Sequence, residues 1–273
     1  MRIASVNAWG GALADELLTW LPGSGADIVC LQEVTRTPGA TGWTRFADGE
    51  RSLPQRATLL DDVRGVLPRH QAFFVTSDSG PVHDDTGHRR RQDFGVATMV
   101  GEDLPVVGVD SAFVHGQFAD HAEWVSDRPR AALAVRTVDR AAGRPVWVVQ
   151  MHGLRDPSGK ADTPARRRQA ERLAGLVRRI RRPEDLVVVC GDFNVLPDSE
   201  TFGVLAGLGL TDLVGGADTR TSHYGKPTRH ASYLLVSDPA AVNRFEILAE
   251  PEVSDHRVLI LETGPVGRAV TDS

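Results

Sequence analysis

The sequence predicts one α/β domain in which stacked β-sheets carry helices on their outer faces. Three observations lead there. About ten short apolar runs have the length and β-branched character of buried strands. Only a few segments show helical spacing, and they fall between those runs. The 273 residues contain no fixed-period repeat, low-complexity tract or Pro/Gly/Ser-rich linker that would divide them. The expected domain spans residues 1–263, with 264–273 as a frayed tail.

Taken in order, residues 2–7 read as a first strand, broken by Gly10 and Gly11. Leu13, Leu17, Leu18 and Leu21 then recur at helical spacing, and residues 22–25 read as a turn. Residues 27–34 are a second strand that ends on Gln32-Glu33. Residues 35–56, rich in Gly, Thr and Pro, read as a loop, followed by a helix over 57–67 and a short strand over 73–76. The polar stretch 77–93, with its Arg89-Arg90-Arg91 run, reads as another loop. Strands follow at 94–100, 103–113, 130–138 and 145–151. Residues 163–181 are the clearest helix: Leu173, Leu176, Val177 and Ile180 form one stripe among arginines, with Thr163 as N-cap and Pro164 at the first helical position. Residues 186–190 are a buried strand, 199–208 a short helix, and 231–237, 245–249 and 257–261 the last strands.

Composition narrows the class. With 41% hydrophobic and 25% charged residues the chain is an ordinary globular protein, long enough to bury a sizeable core without staples. Cys30 and Cys190 each lie late in an apolar run and read as small core hydrophobes. The net charge of −5 favours a small phosphorylated substrate over nucleic acid, although a local basic patch can serve a nuclease. No run reaches the length of a membrane span, and residues 1–9 do not form a signal peptide, so the expected location is cytoplasmic. The sequence carries no signal for the oligomeric state.

The chemistry gathers where apolar strands stop. Asn7, Gln32-Glu33, His152 and the Asp192/Asn194 pair each end a strand, and Ser254-Asp255-His256 precedes the last one. Ligand sites in stacked α/β folds form at such ends. Carboxylates and amides without a basic neighbour suit a hard divalent cation, Mg²⁺ or Mn²⁺, and two histidines beside them suit proton transfer or phosphoryl contact. Taken singly, each residue has a plainer reading. Asn7, Asp192 and Asn194 would serve as turn formers, Glu33 as a solvated strand end, Asp255 as a turn cap and His256 as a surface histidine. Their co-occurrence outweighs these readings.

The segments Ile3-Ala4-Ser5-Val6-Asn7, Asp27-Ile28-Val29-Cys30-Leu31-Gln32-Glu33-Val34, Val189-Cys190-Gly191-Asp192-Phe193-Asn194 and Ser254-Asp255-His256 resemble, in this order, those of the endonuclease/exonuclease/phosphatase superfamily. The resemblance implies a DNase-I-like four-layer sandwich, two mainly antiparallel sheets flanked by helices, and a metal-dependent phosphoesterase. It implies that Glu33 is the principal metal ligand, with Asn7 beside it and Asp255 completing the acidic cluster. Asp192 would orient or deprotonate the attacking water, Asn194 would hold the phosphate and His256 would contact the phosphoryl group. His152 matches the family's other histidine. Residues 7–11 and 219–224 resemble a bacterial branch of small hydrolases more than the apurinic-site nucleases.

One departure stands out. Where the family has Asp-Tyr before a late strand, this chain has Ser232-Tyr233, so the carboxylate that buttresses the final histidine is replaced by a hydroxyl. The expectation is a less readily protonated His256, unless Asp212 or Asp218 substitutes. Arg128 and Arg130, Arg91 of the arginine run and Trp124 are the candidates for facing substrate; the plainer readings are a solvated loop for Arg91 and a half-buried core ring for Trp124. The leading functional reading is hydrolysis of a small phosphomonoester or phosphodiester, such as a nucleotide, sugar phosphate or lipid head group. The alternatives are a DNA or RNA nuclease and a binding protein that has lost turnover.

Overall fold

The computed structural model describes residues 1–48, 52–156 and 158–264. In chain order its elements are β1 (Arg2–Asn7), α1 (Ala14–Gly23), β2 (Ile28–Arg36), β3 (Trp43–Ala47), β4 (Ser52–Arg56), α2 (Leu59–Val66), β5 (His70–Asp84), β6 (Arg89–Gly101), β7 (Val106–His115), β8 (Ala119–Asp120), β9 (Arg130–Asp139), β10 (Arg144–His152), α3 (Pro164–Ile180), β11 (Leu186–Asp192), α4 (Glu200–Ala206), β12 (Thr211–Asp212), β13 (Ser232–Val236), β14 (Val242–Ile247) and β15 (Leu259–Thr263). The first sheet runs β14-β15-β1-β2-β6-β5-β3-β4, with β8 beside β5; the second runs β12-β13-β11-β10-β9-β7.

Both sheets are mainly antiparallel, but each has a parallel pair at its heart. β1 pairs with β2 and β10 with β11, each pair joined through a helix, α1 or α3. These two βαβ units send their carboxyl ends to the same edge of the sandwich, which is where a doubly wound sheet binds ligands.

Burial explains the four layers. Along β1 and β2, Ile3, Ile28 and Cys30 face the second sheet, while Ala4, Val6, Val29 and Leu31 face Leu17 and Leu21 of α1 and Leu59, Leu60 and Val63 of α2. Period-2 alternation with both faces apolar gives the unbroken hydrophobic runs seen in the sequence. Leu173, Leu176 and Val177 of α3 pack on the second sheet, and Thr163 caps α3 by accepting from Arg166 N at 3.3 Å. Both cysteines are buried and free.

Two segments read as loops are sheet. Residues 43–47 and 52–56 form a hairpin with Arg45 opposite Pro54, at the edge where proline is tolerated. Residues 77–93 form the far half of a β5–β6 arm paired out to His83–Arg89. Its polarity misleads because one face is solvated, with Arg90 Nε 2.8 Å from Asp84 Oδ2. The other face buries Phe94 with Phe46 and Trp124. Helix α1 also runs through Pro22 to Gly23, past the expected turn at 22. Of the expected tail, residues 265–273 lie outside the described residues.

Gly191 is indispensable to the parallel pair beneath the site. Its φ is +130°, and a Cβ there would lie 2.1 Å from Met151 O on β10. Gly191→Ala should destabilise the fold by about 3 kcal/mol or more, because backbone must separate. Chemical denaturation checks this, and an unchanged midpoint would contradict it.

Candidate active site

The carboxyl ends of the two parallel pairs meet over a cleft of about 460 Å³. Asn7 ends β1 and His152 ends β10 directly opposite Asp192 on β11. Glu33 arrives by a different device. Between Leu31 and Val34 the register of β2 on β6 shifts, so Gln32 and Glu33 together oppose the single residue Val96. Such a bulge re-aims a side chain. Glu33 itself sits at φ +56°. Among the described residues, the non-glycine positions with positive φ are Trp9, Glu33 and Asn194. All three line the cleft. Strained backbone is concentrated at this one place, as it is in functional sites.

The polar groups interlock. Asn7 Nδ2 donates to Glu33 Oε1 and to Asp192 Oδ2, both at 3.0 Å, while Asn7 Oδ1 accepts from Trp9 N at 2.9 Å. His152 Nε2 lies 3.6 Å from Glu33 Oε1 and 4.0 Å from Asp192 Oδ2. His256 Nε2 lies 3.4 Å from Asp192 Oδ2 and 3.8 Å from Asp255 Oδ1. Asp192 Oδ2 therefore stands between the two imidazoles. Its Oδ1 accepts from Asn194 N at 3.0 Å, which fixes the turn after β11.

Ser232 stands where the carboxylate was missing: its Oγ is 2.8 Å from His256 Nδ1. Neither proposed substitute acid reaches that nitrogen. Asp212 caps a turn at Val214 N and Gly215 N, and Asp218 pairs with Arg229. Burial holds His256 well below the usual histidine range, and the charges of Arg220, Lys160 and His152 push the same way. Burial raises the carboxyl of Asp255 to about 7; Arg220 opposes the shift, and Glu33 and Asp192 add to it.

Glu33, His152 and Asp192 present ligand atoms within 4.8 Å of one another. This group fits a divalent cation. Two carboxylates and an imidazole converge here, a donor set suited to a divalent ion. Of the residues expected around the ion, Asn7 stands beside Glu33, 3.0 Å from its Oε1. His152 and Asp192 join Glu33, whereas Asp255 Oδ2 accepts from Arg220 Nη1 at 2.6 Å.

The candidates for facing substrate separate. Arg130 lines the cleft, nearly buried, donating to Gly153 O and Pro129 O at 3.0 Å each, and burial lowers it to about 10. Arg128 also lines the cleft, but its guanidinium is committed to buried Asp78 at 2.7 and 2.9 Å and lies 4.2 Å from the rings of Phe94 and Trp124. Trp124 lies behind it, donating Nε1 to Pro81 O at 2.6 Å, and is not part of the cleft wall. Arg91 lies out on the β5–β6 arm, paired with Asp120, and is likewise not part of the wall. Tyr233 is buried under β11, its hydroxyl donating to Val195 O at 3.1 Å.

Among the cleft residues to which the sequence reading gave no role are Trp9, Lys160, Arg220 and Tyr224. Arg220 is brought in by backbone pairing, with Thr221 N donating to Asp255 O and Arg257 N to Thr219 O. Its guanidinium carbon lies 4.0 Å from the Tyr224 ring centroid. The 219–224 segment had been singled out, but as a likeness and without roles.

The family model described as the Endonuclease/Exonuclease/phosphatase family matches residues 4–256, and the chain belongs to that family, whose members are metal-dependent phosphoesterases. No curated protein sequence matches the chain. Solved structures with the same fold include an endonuclease/exonuclease/phosphatase from Bacteroides vulgatus, at 19% identity and TM-score 0.65 over 96% of this chain and 98% of that one. A Bacteroides thetaiotaomicron mannosyl-6-phosphatase aligns at 15% identity and TM-score 0.66, covering 96% and 98%. The human Nocturnin catalytic domain with bound sulfate aligns at 18% and 0.62, covering 96% and 93%. Among the described residues no helix is long and apolar enough to cross a membrane.

A carboxylate beside Nδ1 stabilises the imidazolium. Ser232→Asp should therefore move the ionisation of His256 to higher pH by about one to two units. The pH–rate profile or the ring's NMR titration reads it, and superimposable curves for the two proteins would contradict the contact.

Proposed function

We propose that this phosphohydrolase cleaves a small phosphomonoester or phosphodiester with Mg²⁺ or Mn²⁺, the scissile phosphate seated between Glu33, Asp192, Asn194 and His256. The observation that carries the reading is the convergence of Glu33, His152, Asp192 and His256 on a cleft of about 460 Å³. That volume suits a small ligand. The mannosyl-6-phosphatase among the structural neighbours supports a small sugar phosphate as one such substrate.

Glu33 and Asp192 would hold the cation, with His152 Nε2 in reach of both and Asn7 bridging the two carboxylates. The bound ion would neutralise charge on the phosphoryl oxygens. Asp192 Oδ2 would orient the attacking water and take its proton, and neutral His256, 3.4 Å away, would accept or relay it. Asn194 and buried Arg130, which both line the cleft, would bind the phosphoryl oxygens as preorganised donors. With Ser232 at Nδ1, His256 is suited to transferring a proton through its neutral form more than to standing as a fixed cation.

Purified protein with each metal should hydrolyse members of a panel of sugar phosphates, nucleotides and aryl phosphodiesters, and a chelator should abolish the activity. Asp192→Ala should lower kcat on the order of 10³-fold. The rate should change little between 50 and 200 mM salt, whereas a nuclease making several phosphate contacts would lose roughly 10³-fold or more in affinity. Equal turnover after Asp192→Ala would refute the mechanism, and a steep salt loss on nucleic acid would replace the substrate class.

A further inference from the structure

The loop after β10 is anchored more firmly than a surface connection needs to be. Arg166, in the first turn of α3 and almost wholly buried, donates Nη2 to Gly159 O and Nη1 to Ala161 O, at 2.5 Å each. These two carbonyls flank Lys160. Asp162 then accepts from Ser199 Oγ at 2.5 Å and from Glu200 N at 2.8 Å, and Thr163 caps α3. Burying an arginine against backbone carbonyls is costly without a carboxylate, and here it fixes the backbone on both sides of one lysine.

Lys160 itself lines the cleft, and its Nζ donates to His230 O. The next residue, Ala231, accepts from Phe193 N at 2.8 Å and Asn194 N at 3.3 Å. The ammonium is thus tied to the turn that carries Asn194. Among the described residues it forms no ion pair with a carboxylate; burial lowers its ammonium to about 8, and the charges of Asp192 and Asp255 oppose that shift. A half-buried lysine held on a fixed loop, with two of its three donors unused, is an anion-binding group.

We propose that Lys160 contacts the substrate, donating to an oxygen of the scissile phosphate on the Asn194 side. This rests on the phosphohydrolase reading and adds a residue to it. In this account Arg166 holds the loop, and Lys160 is the group that touches phosphate.

Inorganic phosphate, titrated calorimetrically into the Mg²⁺-loaded protein, tests the contact without turnover. Lys160→Ala should weaken phosphate binding about tenfold or more, and Lys160→Arg should keep it within about threefold. On a substrate that the wild-type enzyme turns over, Lys160→Ala should lower kcat/KM on the order of 10²-fold. Added ethylammonium should restore part of it, which a merely structural lysine would not allow. If Lys160→Ala fails to fold by circular dichroism, Lys160→Gln is read in its place. Wild-type phosphate affinity in the neutral variant, or no phosphate binding by the wild-type protein, overturns the proposal. Phosphate binding that depends on Lys160 in a protein that hydrolyses nothing would sustain the site and defeat the hydrolytic reading.

Discussion

Gln32 Nε2 donates to Gln150 Oε1 at 2.8 Å across the interior of the sandwich, and Gln150 Nε2 donates on to Ala97 O and Thr98 Oγ1 at 2.7 Å each. Both side chains are wholly buried. Gln32 is the residue before Glu33, and Gln150 lies two before His152. Apolar packing between two sheets is non-directional and tolerates sliding. A buried amide pair does not, because either amide displaced by an ångström leaves unsatisfied groups at about 1–3 kcal/mol each. This link therefore sets how the end of β2 stands relative to the ends of β10 and β11. The 3.6 Å between Glu33 and His152 follows from it.

The price of the site is paid elsewhere in the fold. Three residues at positive φ, a bulge in β2 and several nearly buried carboxylates are all unfavourable locally. The two apolar cores that flank the parallel pairs, one between the sheets and one under α1 and α2, supply the stability that tolerates them. Among the described residues the positive-φ non-glycine positions coincide with the cleft, a local departure from preferred backbone of the kind that function demands.

Much of this was legible in the sequence because strands buried on both faces end abruptly, and the residues that follow are polar for a reason. Asn7, Glu33, His152, Asp192, Asn194, Asp255 and His256 all stood out at such boundaries, and the structure brings them together. The β3–β4 hairpin and the outer half of the β5–β6 arm did not stand out. Their strands have a solvated face or a proline, and polarity there looks like a loop. Arg220, Lys160 and Arg166 were hidden for another reason. Arg220 depends on pairing with the segment around His256, and Lys160 depends on a buried arginine within a helix whose other arginines face solvent. Nothing local marks one arginine of Arg166-Arg167-Arg168 as buried. Serine at 232 was the reverse case: the departure was visible in the sequence, and the 2.8 Å contact to His256 gives it a consequence.

The proposed cation site of Glu33, His152 and Asp192 exists because two parallel strand pairs end at one point. Mn²⁺ binding, followed by electron paramagnetic resonance on the wild-type protein and on Glu33→Gln, tests it directly. The wild-type protein should bind Mn²⁺ saturably and Glu33→Gln at least tenfold more weakly, with the fold unchanged by circular dichroism. Equal Mn²⁺ affinity in the two proteins would contradict it.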